Sequence, residues 1–268
     1  MDISDNCLGD EGALQLAQLI PACRLERINL AENQIGPIGG CAFAWSLLHN
    51  NTITKINICC NPLFDPESGG GPTTDITRRV FNSFKDTPAY KQGFLGMLCS
   101  SLRRNRTVDF INLSNSGIQD EHGPLLAILL RVSNLAAIML QRNNISDQAC
   151  IYVCQTLSTY RTPLRAITLD MNPISSRGFI AFWKGVLMTN DNLMSVQFGD
   201  QIYEINGIER GQRDLDDALR MNRAGFIRLR NDKNATQKQW VEGLIDLRDH
   251  LSCSYAFLQN NPSLCSRD

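Results

Sequence analysis

The sequence predicts an α/β solenoid: short parallel strands on a concave face, helices on the convex face, and a helical cap at the C-terminal end. Three observations predict it. One apolar template recurs along the chain, an amide-bearing residue follows it at fixed spacing, and a stretch with helical periodicity follows each copy. The template is clearest at Leu25, Ile28, Leu30, Asn33 and Ile35. It returns at Ile53, Ile56, Ile58, Asn61, Leu63, then at Val108, Ile111, Leu113, Ser116, Ile118. Further copies are Leu135, Ile138, Leu140, Asn143, Ile145 and Leu164, Ile167, Leu169, Asn172, Ile174, with a weaker one at Leu193, Val196, Phe198. The first apolar positions are 25, 53, 108, 135, 164 and 193, so the steps are 28, 55, 27, 29 and 29 residues. The 55 contains one repeat plus an insertion of similar length. A period in this range marks units that bury their apolar faces only by stacking.

Within each unit, apolar residues at positions one, four and six give a strand too short to stand alone, with inward side chains stacked on the next copy. Apolar residues then recur at helical spacing over 11–20, 38–48, 92–102, 121–132, 147–158 and 176–187, each presenting one face to the strand layer. Gly12, Gly39, Gly123 and Gly178 stand near helix starts, where a small residue lets neighbouring units approach.

The insertion lies at about 65–90, in the second full repeat. Residues 65–77, rich in Pro, Gly, Ser and Thr, read as a mobile loop. Gly69 to Gly71 lack the following Gly-Lys-Ser/Thr of a phosphate cradle. Val80, Phe81, Phe84 and Tyr90 form an aromatic-rich segment expected to dock back on the solenoid rather than stay exposed. The repeats occupy 1–202, about six units, and 203–268 holds a degenerate repeat and the cap. There, Phe226 to Leu229 reads as a last short strand, and Thr236 with Gln239 forms a capping-box signature before a helix running to about Leu258 through Trp240, Leu244, Leu247 and Leu251. At the other end only Ile3 and Asn6 keep the template, so the chain starts inside a repeat. Either the sequence is truncated there or another protein covers that edge.

The template with its Asn resembles the leucine-rich-repeat superfamily, and the long period with a helix in every unit looks like its ribonuclease-inhibitor-like subclass. The resemblance covers most of 1–202 and implies a horseshoe. It also implies that Asn33, Asn61, Asn143 and Asn172 satisfy backbone groups in the turn leaving each strand, a rung that Ser116 puts in doubt.

Composition narrows function. Lys and Arg number 26 against 27 Asp and Glu, a net charge of -1, with 43% hydrophobic residues. Without basic blocks, nucleic acid and membrane are not the expected partners. The start, Met1-Asp2-Ile3-Ser4-Asp5, lacks a secretory pattern, and the expected location is cytoplasmic, with association to the cytoskeleton as a variant. The 10 cysteines, under 4% of the chain, read as small reduced core residues. Cys59-Cys60 and Cys150/Cys154 lack a second pair at zinc spacing. His49, His122 and His250 are scattered, with His122 expected to be a solvated side chain. Asn-x-Ser/Thr matches at Asn50, Asn105, Asn112, Asn144 and Asn234 read as products of an Asn-rich repeat. No catalytic motif is found; the expectation is a protein that is not an enzyme and takes no cofactor or metal.

Function then falls to the concave face, where the residues between apolar positions stand in columns. The central column is Asn29, Asn57, Asn112, Met139, Thr168, Gln197. It is flanked by Arg27, Lys55, Phe110, Ala137, Ala166, Ser195 and by Ala31, Cys59, Ser114, Gln141, Asp170, Gly199. The candidate binding residues are Arg27, Asn29, Lys55, Asn57, Phe110, Asn112, Met139, Gln141, Thr168, Asp170 and Gln197, with Phe110 and Met139 as apolar anchors for a protein epitope. Some of the Asn side chains have an alternative use in satisfying neighbouring backbone. The expected function is a protein–protein interaction scaffold. Two alternatives remain: a cytoskeletal, ciliary (axonemal) or centrosomal assembly component docked through the N-terminal edge, and a Ran-type GTPase-activating protein.

Overall fold

The computed structural model describes residues 1–187, 190, 192–198, 216, 219–220, 222–223, 229, 235–247 and 253. Six strands of three residues each form one open, all-parallel sheet in sequence order: β1 (Arg27–Asn29), β2 (Lys55–Asn57), β3 (Phe110–Asn112), β4 (Ala137–Met139), β5 (Ala166–Thr168) and β6 (Ser195–Gln197). The register is set by the template. Ile28, Ile56, Ile111, Ile138, Ile167 and Val196 are successive partners. All six are buried, because their side chains point from the sheet into the single main core. Residues 1–5 pair along the outer side of β1: the Ile3 N–H donates to Asn29 O at 3.0 Å and the Asn29 N–H to Met1 O at 3.0 Å.

Helices form the second layer: α1 (Gly9–Leu19), α2 (Pro37–Ser46), α3 (Asp75–Phe84), α4 (Gly93–Leu102), α5 (Gly123–Val132), α6 (Asp147–Thr159) and α7 (Ser176–Leu187). Their close stacking needs glycine at three starts. A Cβ on Gly39 would lie 2.8 Å from Ala13 Cβ, one on Gly123 would lie 3.0 Å from Ala149 Cα, and one on Gly178 would collide with Asp147 Oδ1. Gly12 differs from expectation, meeting only its own helix at Leu8.

The turns out of β1 to β5 are held by amides. Asn143 Oδ1 accepts from the N–H groups of Ser116, Gly117 and Ile118, each at 3.1 Å, while its Nδ2 donates to Leu113 O, Leu140 O and Gln141 O. Asn33, Asn61 and Asn172 do the equivalent. These bonds hold the preceding residue in left-handed backbone, φ 56° at Glu32 and Cys60 and 54° at Arg142, which a non-glycine residue adopts only at a cost. Ser116 is the weak rung, its Oγ bonding Ser114 O at 3.3 Å within its own turn.

The insertion departs from its sequence reading. Residues 65–77 were expected to be a mobile loop, but a helix begins at Asp75, and Thr74 and Thr77 close a capping box at its start. Glu11 on α1 clasps the segment, accepting from Thr73 N at 2.9 Å, Thr74 Oγ1 at 3.2 Å and Thr77 Oγ1 at 3.0 Å. The aromatic segment docks back as expected: Phe84 is fully buried between Trp45, Phe81 and Tyr90.

Near the C-terminus, the capping box of Thr236 and Gln239 opens α8 (Gln237–Asp246). Trp240 and Leu247 form a small second core with Leu229 and Cys253. Leu229, expected to end a strand, is helical. Residues 226–228, the expected end of the repeats at 202, and all of the cap beyond Leu247 but Cys253, including Leu251, Leu258 and His250, lie outside the described residues.

Candidate functional site

The strand register brings the expected columns together. Arg27, Lys55, Phe110, Ala137, Ala166 and Ser195 are consecutive partners, as are Asn29, Asn57, Asn112, Met139, Thr168 and Gln197. Gly199 lies outside the described residues. Arg27, Lys55 and Gln197 are exposed, and the remaining candidates are half-buried. Phe110 and Met139 sit on adjacent strands as diagonal neighbours, within reach of each other for side chains of their size. Ala137 and Ala166 stand beside them and leave the surface shallow there.

Several of the polar candidates are already engaged. Asn29 Oδ1 accepts from the Ala31 N–H at 3.2 Å and from Asn57 Nδ2 at 2.9 Å; Asn112 Oδ1 accepts from the Ser114 N–H at 3.0 Å. These side chains close the backbone two residues on, which lowers what they can offer a ligand. Gln141 Nε2 donates to Asp170 Oδ2 at 3.1 Å. Thr168 Oγ1 and Ser114 Oγ are buried with no hydrogen-bond partner. What remains to bind is an apolar pair at the centre and two cations, Arg27 and Lys55, at the β1–β2 end.

Sequence reasoning missed a second amide ladder, where each helix descends to the next strand. Asn105 Nδ2 donates to Leu47 O and Asn50 O at 2.9 Å each, and its Oδ1 accepts from the Thr107 and Val108 N–H groups. Asn50 and Asn190 repeat the pattern, and Asn222 repeats its donating half. Two of these, Asn50 and Asn105, open glycosylation-like triplets, yet both are buried and spent on backbone. The available signal was an Asn three residues before the first apolar position.

A carboxylate also bridges units at the helix starts. Asp120 Oδ1 accepts from Ser146 N at 2.8 Å and Ala149 N at 3.2 Å, with Ser146 Oγ donating to Oδ2, and Asp147 takes Ser175 N at 2.7 Å. The bonds from Ser146 and Ala149 outweigh desolvation and hold the Asp120 carboxyl below its ordinary range. Asp10 does the same for Gly36 N at 2.7 Å and Gly39 N at 2.8 Å, but Gly36 has no hydroxyl to give. Gly69 closes over it instead, leaving Asp10 2% exposed with Oδ2 unpartnered. Burial pushes its carboxyl up.

His122 is a correction. Rather than solvated, it is half-buried, its ring edge-on to Phe64 at 4.5 Å between centroids, with Nδ1 accepting from the Gln119 N–H at 3.0 Å. Burial lowers its pKa. It borders a cavity of about 410 Å³ under the insertion, with Phe64, Phe94, Ser68 and Gln92. The cysteines are a partial correction: Cys41, Cys99, Cys150, Cys154 and Cys253 are buried, but Cys7 is exposed and Cys23, Cys59 and Cys60 are half-buried. Burial pushes the Cys41 and Cys99 thiols up to about 12, so neither is poised as a nucleophile. Among the described residues no group of three or more His, Cys, Asp or Glu could hold a metal, and no helix is long and apolar enough to cross a membrane.

Comparison with known proteins agrees with this architecture. A family model described as a leucine rich repeat matches residues 2–17. Human NACHT, LRR and PYD domains-containing protein 5 is 25% identical over 203 residues, which cover 72% of this chain and 17% of that protein. Human Protein NLRC5 is 40% identical over 62 residues, 23% of this chain and 3% of that protein, so the chain spans only a small part of either relative. Among solved structures, the tropomodulin C-terminal domain from Caenorhabditis elegans aligns with a TM-score of 0.46 at 14% identity, covering 71% of this chain and 96% of that one. The leiomodin-1 actin-binding site 2 aligns with a TM-score of 0.42 at 18% identity, covering 53% and 80%. With one strand–turn–helix unit repeated in register across the sheet, and its first copy matched by that family's own model, the chain is a leucine-rich-repeat protein.

Proposed function

We infer that the chain is a non-enzymatic interaction scaffold that takes a protein partner on the concave face of its repeats. One observation carries the reading: Phe110 and Met139, half-exposed and diagonal to each other on β3 and β4, form an apolar pair at the centre of a face on which Asn29, Asn57, Asn112, Gln141 and Asp170 are already hydrogen-bonded to backbone or to one another. A central apolar anchor inside a satisfied polar surround is the arrangement in which a few residues carry most of a protein interface's energy. Arg27 and Lys55 then set orientation and encounter rate more than affinity. A helix in every unit agrees with the ribonuclease-inhibitor-like subclass. Buried, high-pKa thiols and the lack of a metal-competent cluster among the described residues give no support to a catalytic reading.

The test is affinity capture from native cell extract with the wild type and with Phe110→Asp/Met139→Asp, read by mass spectrometry, with circular dichroism to verify folding. Specific proteins retained by the wild type and lost by the folded double variant are expected, at a cost of about 2 kcal/mol or more in affinity for each. Unchanged capture would remove the concave face from consideration and redirect attention to the edge beside α1. Co-sedimentation with actin filaments and microtubules in the same samples decides whether the partner is cytoskeletal.

A further inference from the structure

The helices that lead into successive parallel strands run the same way, so their C-terminal ends share one edge of the solenoid and their N-terminal ends the other. At helix ends and in the segments leading to the strands lie seven exposed cations: Arg24, Arg103, Arg104, Arg106, Arg131, Arg161 and Arg165. The acids in the same connecting segments of the first five repeats are Glu26 and Asp109. Across the molecule acids outnumber cations, with Asp5, Glu32, Asp65, Glu67, Asp120 and Glu121 beside Arg142 and Arg177 in the turns and helix starts of the opposite edge. A chain of net charge -1 thus divides its charges unevenly between two sides.

Part of this sorting serves the helices. Arg103 caps α4 and Arg131 sits in the last turn of α5, where a cation meets the negative end of the helix dipole. That influence fades within a turn, and Arg24, Arg106 and Arg165 stand in coil beyond it. Among the described residues, no carboxylate comes within ion-pair distance of Arg24, Arg103, Arg104, Arg106, Arg131 or Arg165. Their polar contacts are neutral: Arg106 Nη1 donates to Val132 O at 3.2 Å, and Arg131 Nη1 donates to Tyr160 OH at 3.4 Å with its guanidinium 5.2 Å from the ring centroid. Among the described residues, no ion pair neutralises the charge of these six arginines.

We propose that the arginine edge is a second docking surface, separate from the concave face, and that its occupant is an acidic, extended segment of a protein partner. Charge complementarity selects the sign, and guanidinium groups favour carboxylates as fork-shaped partners. Spacing selects the form. Strand starts of neighbouring repeats stand about 4.8 Å apart and an extended chain advances about 3.3 Å per residue, so beside the strands an acid at every third position meets every second repeat. Glu26 and Asp109 interrupt the row. A peptide can place a neutral or basic residue opposite them, whereas a polynucleotide brings a phosphate at every unit.

The experiment uses the whole chain and a short fluorescent peptide with glutamate at every third position, followed by anisotropy. Alongside run the lysine version of the peptide, oligothymidylate, and vesicles containing anionic lipid. Binding of the glutamate peptide is expected, weakening as salt rises from about 50 to about 200 mM. Arg103→Glu/Arg104→Glu/Arg106→Glu should weaken it at least about tenfold, with Arg103→Gln/Arg104→Gln/Arg106→Gln intermediate and Phe110→Asp/Met139→Asp without effect. Equal binding by wild type and the folded triple variants overturns the proposal. So does tighter binding of oligothymidylate or vesicles, or sedimentation showing that the edge is occupied by the acidic side of a second copy.

Discussion

Asn143 makes six hydrogen bonds with one side chain, three received by Oδ1 and three donated by Nδ2, all to backbone of its own and the preceding turn. Truncation would leave those groups buried without partners, and each orphan costs about 1–3 kcal/mol before relaxation or water entry offsets it. Asn143→Ala should therefore lower stability by about 3 kcal/mol or more in urea titrations. Ser116→Ala, at the equivalent position one unit earlier, should cost under about 1 kcal/mol, because Ser116 Oγ makes a single long bond within its own turn. Equal losses would show that the amide ladder is not what holds the turns. This residue-scale role was legible, because the family resemblance implied it and the template located it. The second ladder was not: Asn50 and Asn105 looked like glycosylation-type triplets, and nothing in three letters shows that an amide faces backbone of a neighbouring unit. The polar use of Asn29 and Asn112 was foreseen only as an alternative, since a strand residue's partner two positions on depends on turn geometry that the template does not fix.

At the scale of elements, the template located every strand between β1 and β6 and the helices that follow them, because a period that buries the same positions in each copy leaves little choice of register. The insertion resisted. Its helix α3 begins at Asp75 inside a segment read as loop, since its first turn carries Asp75, Ile76 and Thr77 with Ile76 exposed, and the clasp from Glu11 comes from more than sixty residues away. The same clasped region buries Asp10, whose contrast with Asp120 gives a pH test. The folded Asp10 carboxyl titrates above its ordinary 3.8, so its ionisation burdens the fold at neutral pH, and the burden lifts as pH falls through the raised value. Asp120 titrates lower when folded, so it contributes stability above its ordinary value that is lost as pH falls toward its folded one. Asp10→Asn keeps an oxygen for the Gly36 and Gly39 N–H groups and should hold or raise the urea midpoint near neutral pH, the difference from wild type shrinking toward pH 3.8. Asp120→Asn should lower the midpoint near neutral pH and converge with wild type in acid. A loss for Asp10→Asn as large as that for Asp120→Asn would mean that the Asp10 charge, and not only its oxygen, holds α2 to α1.

For the whole molecule, stacking makes each unit answer chiefly to its neighbours, and stability should approach a sum of unit and interface contributions. The isoleucine column tests this, because Ile28, Ile56, Ile111, Ile138 and Ile167 are chemically identical, buried, and one strand apart in register. Each Ile→Val change should cost about 0.5–1.5 kcal/mol, small enough for double variants to stay folded. Ile28→Val with Ile167→Val removes methyl groups four strands apart, roughly 19 Å at sheet spacing, and the losses should add within about 0.5 kcal/mol. Ile111→Val with Ile138→Val opens adjacent cavities that can relax into each other, so the double loss should depart from the sum by more than that. Urea unfolding of the four single and two double variants measures both couplings. Stronger coupling in the distant pair than in the adjacent one would mean that strain travels the length of the sheet, and the repeats would then have to be treated as one cooperative block rather than as a row of neighbours.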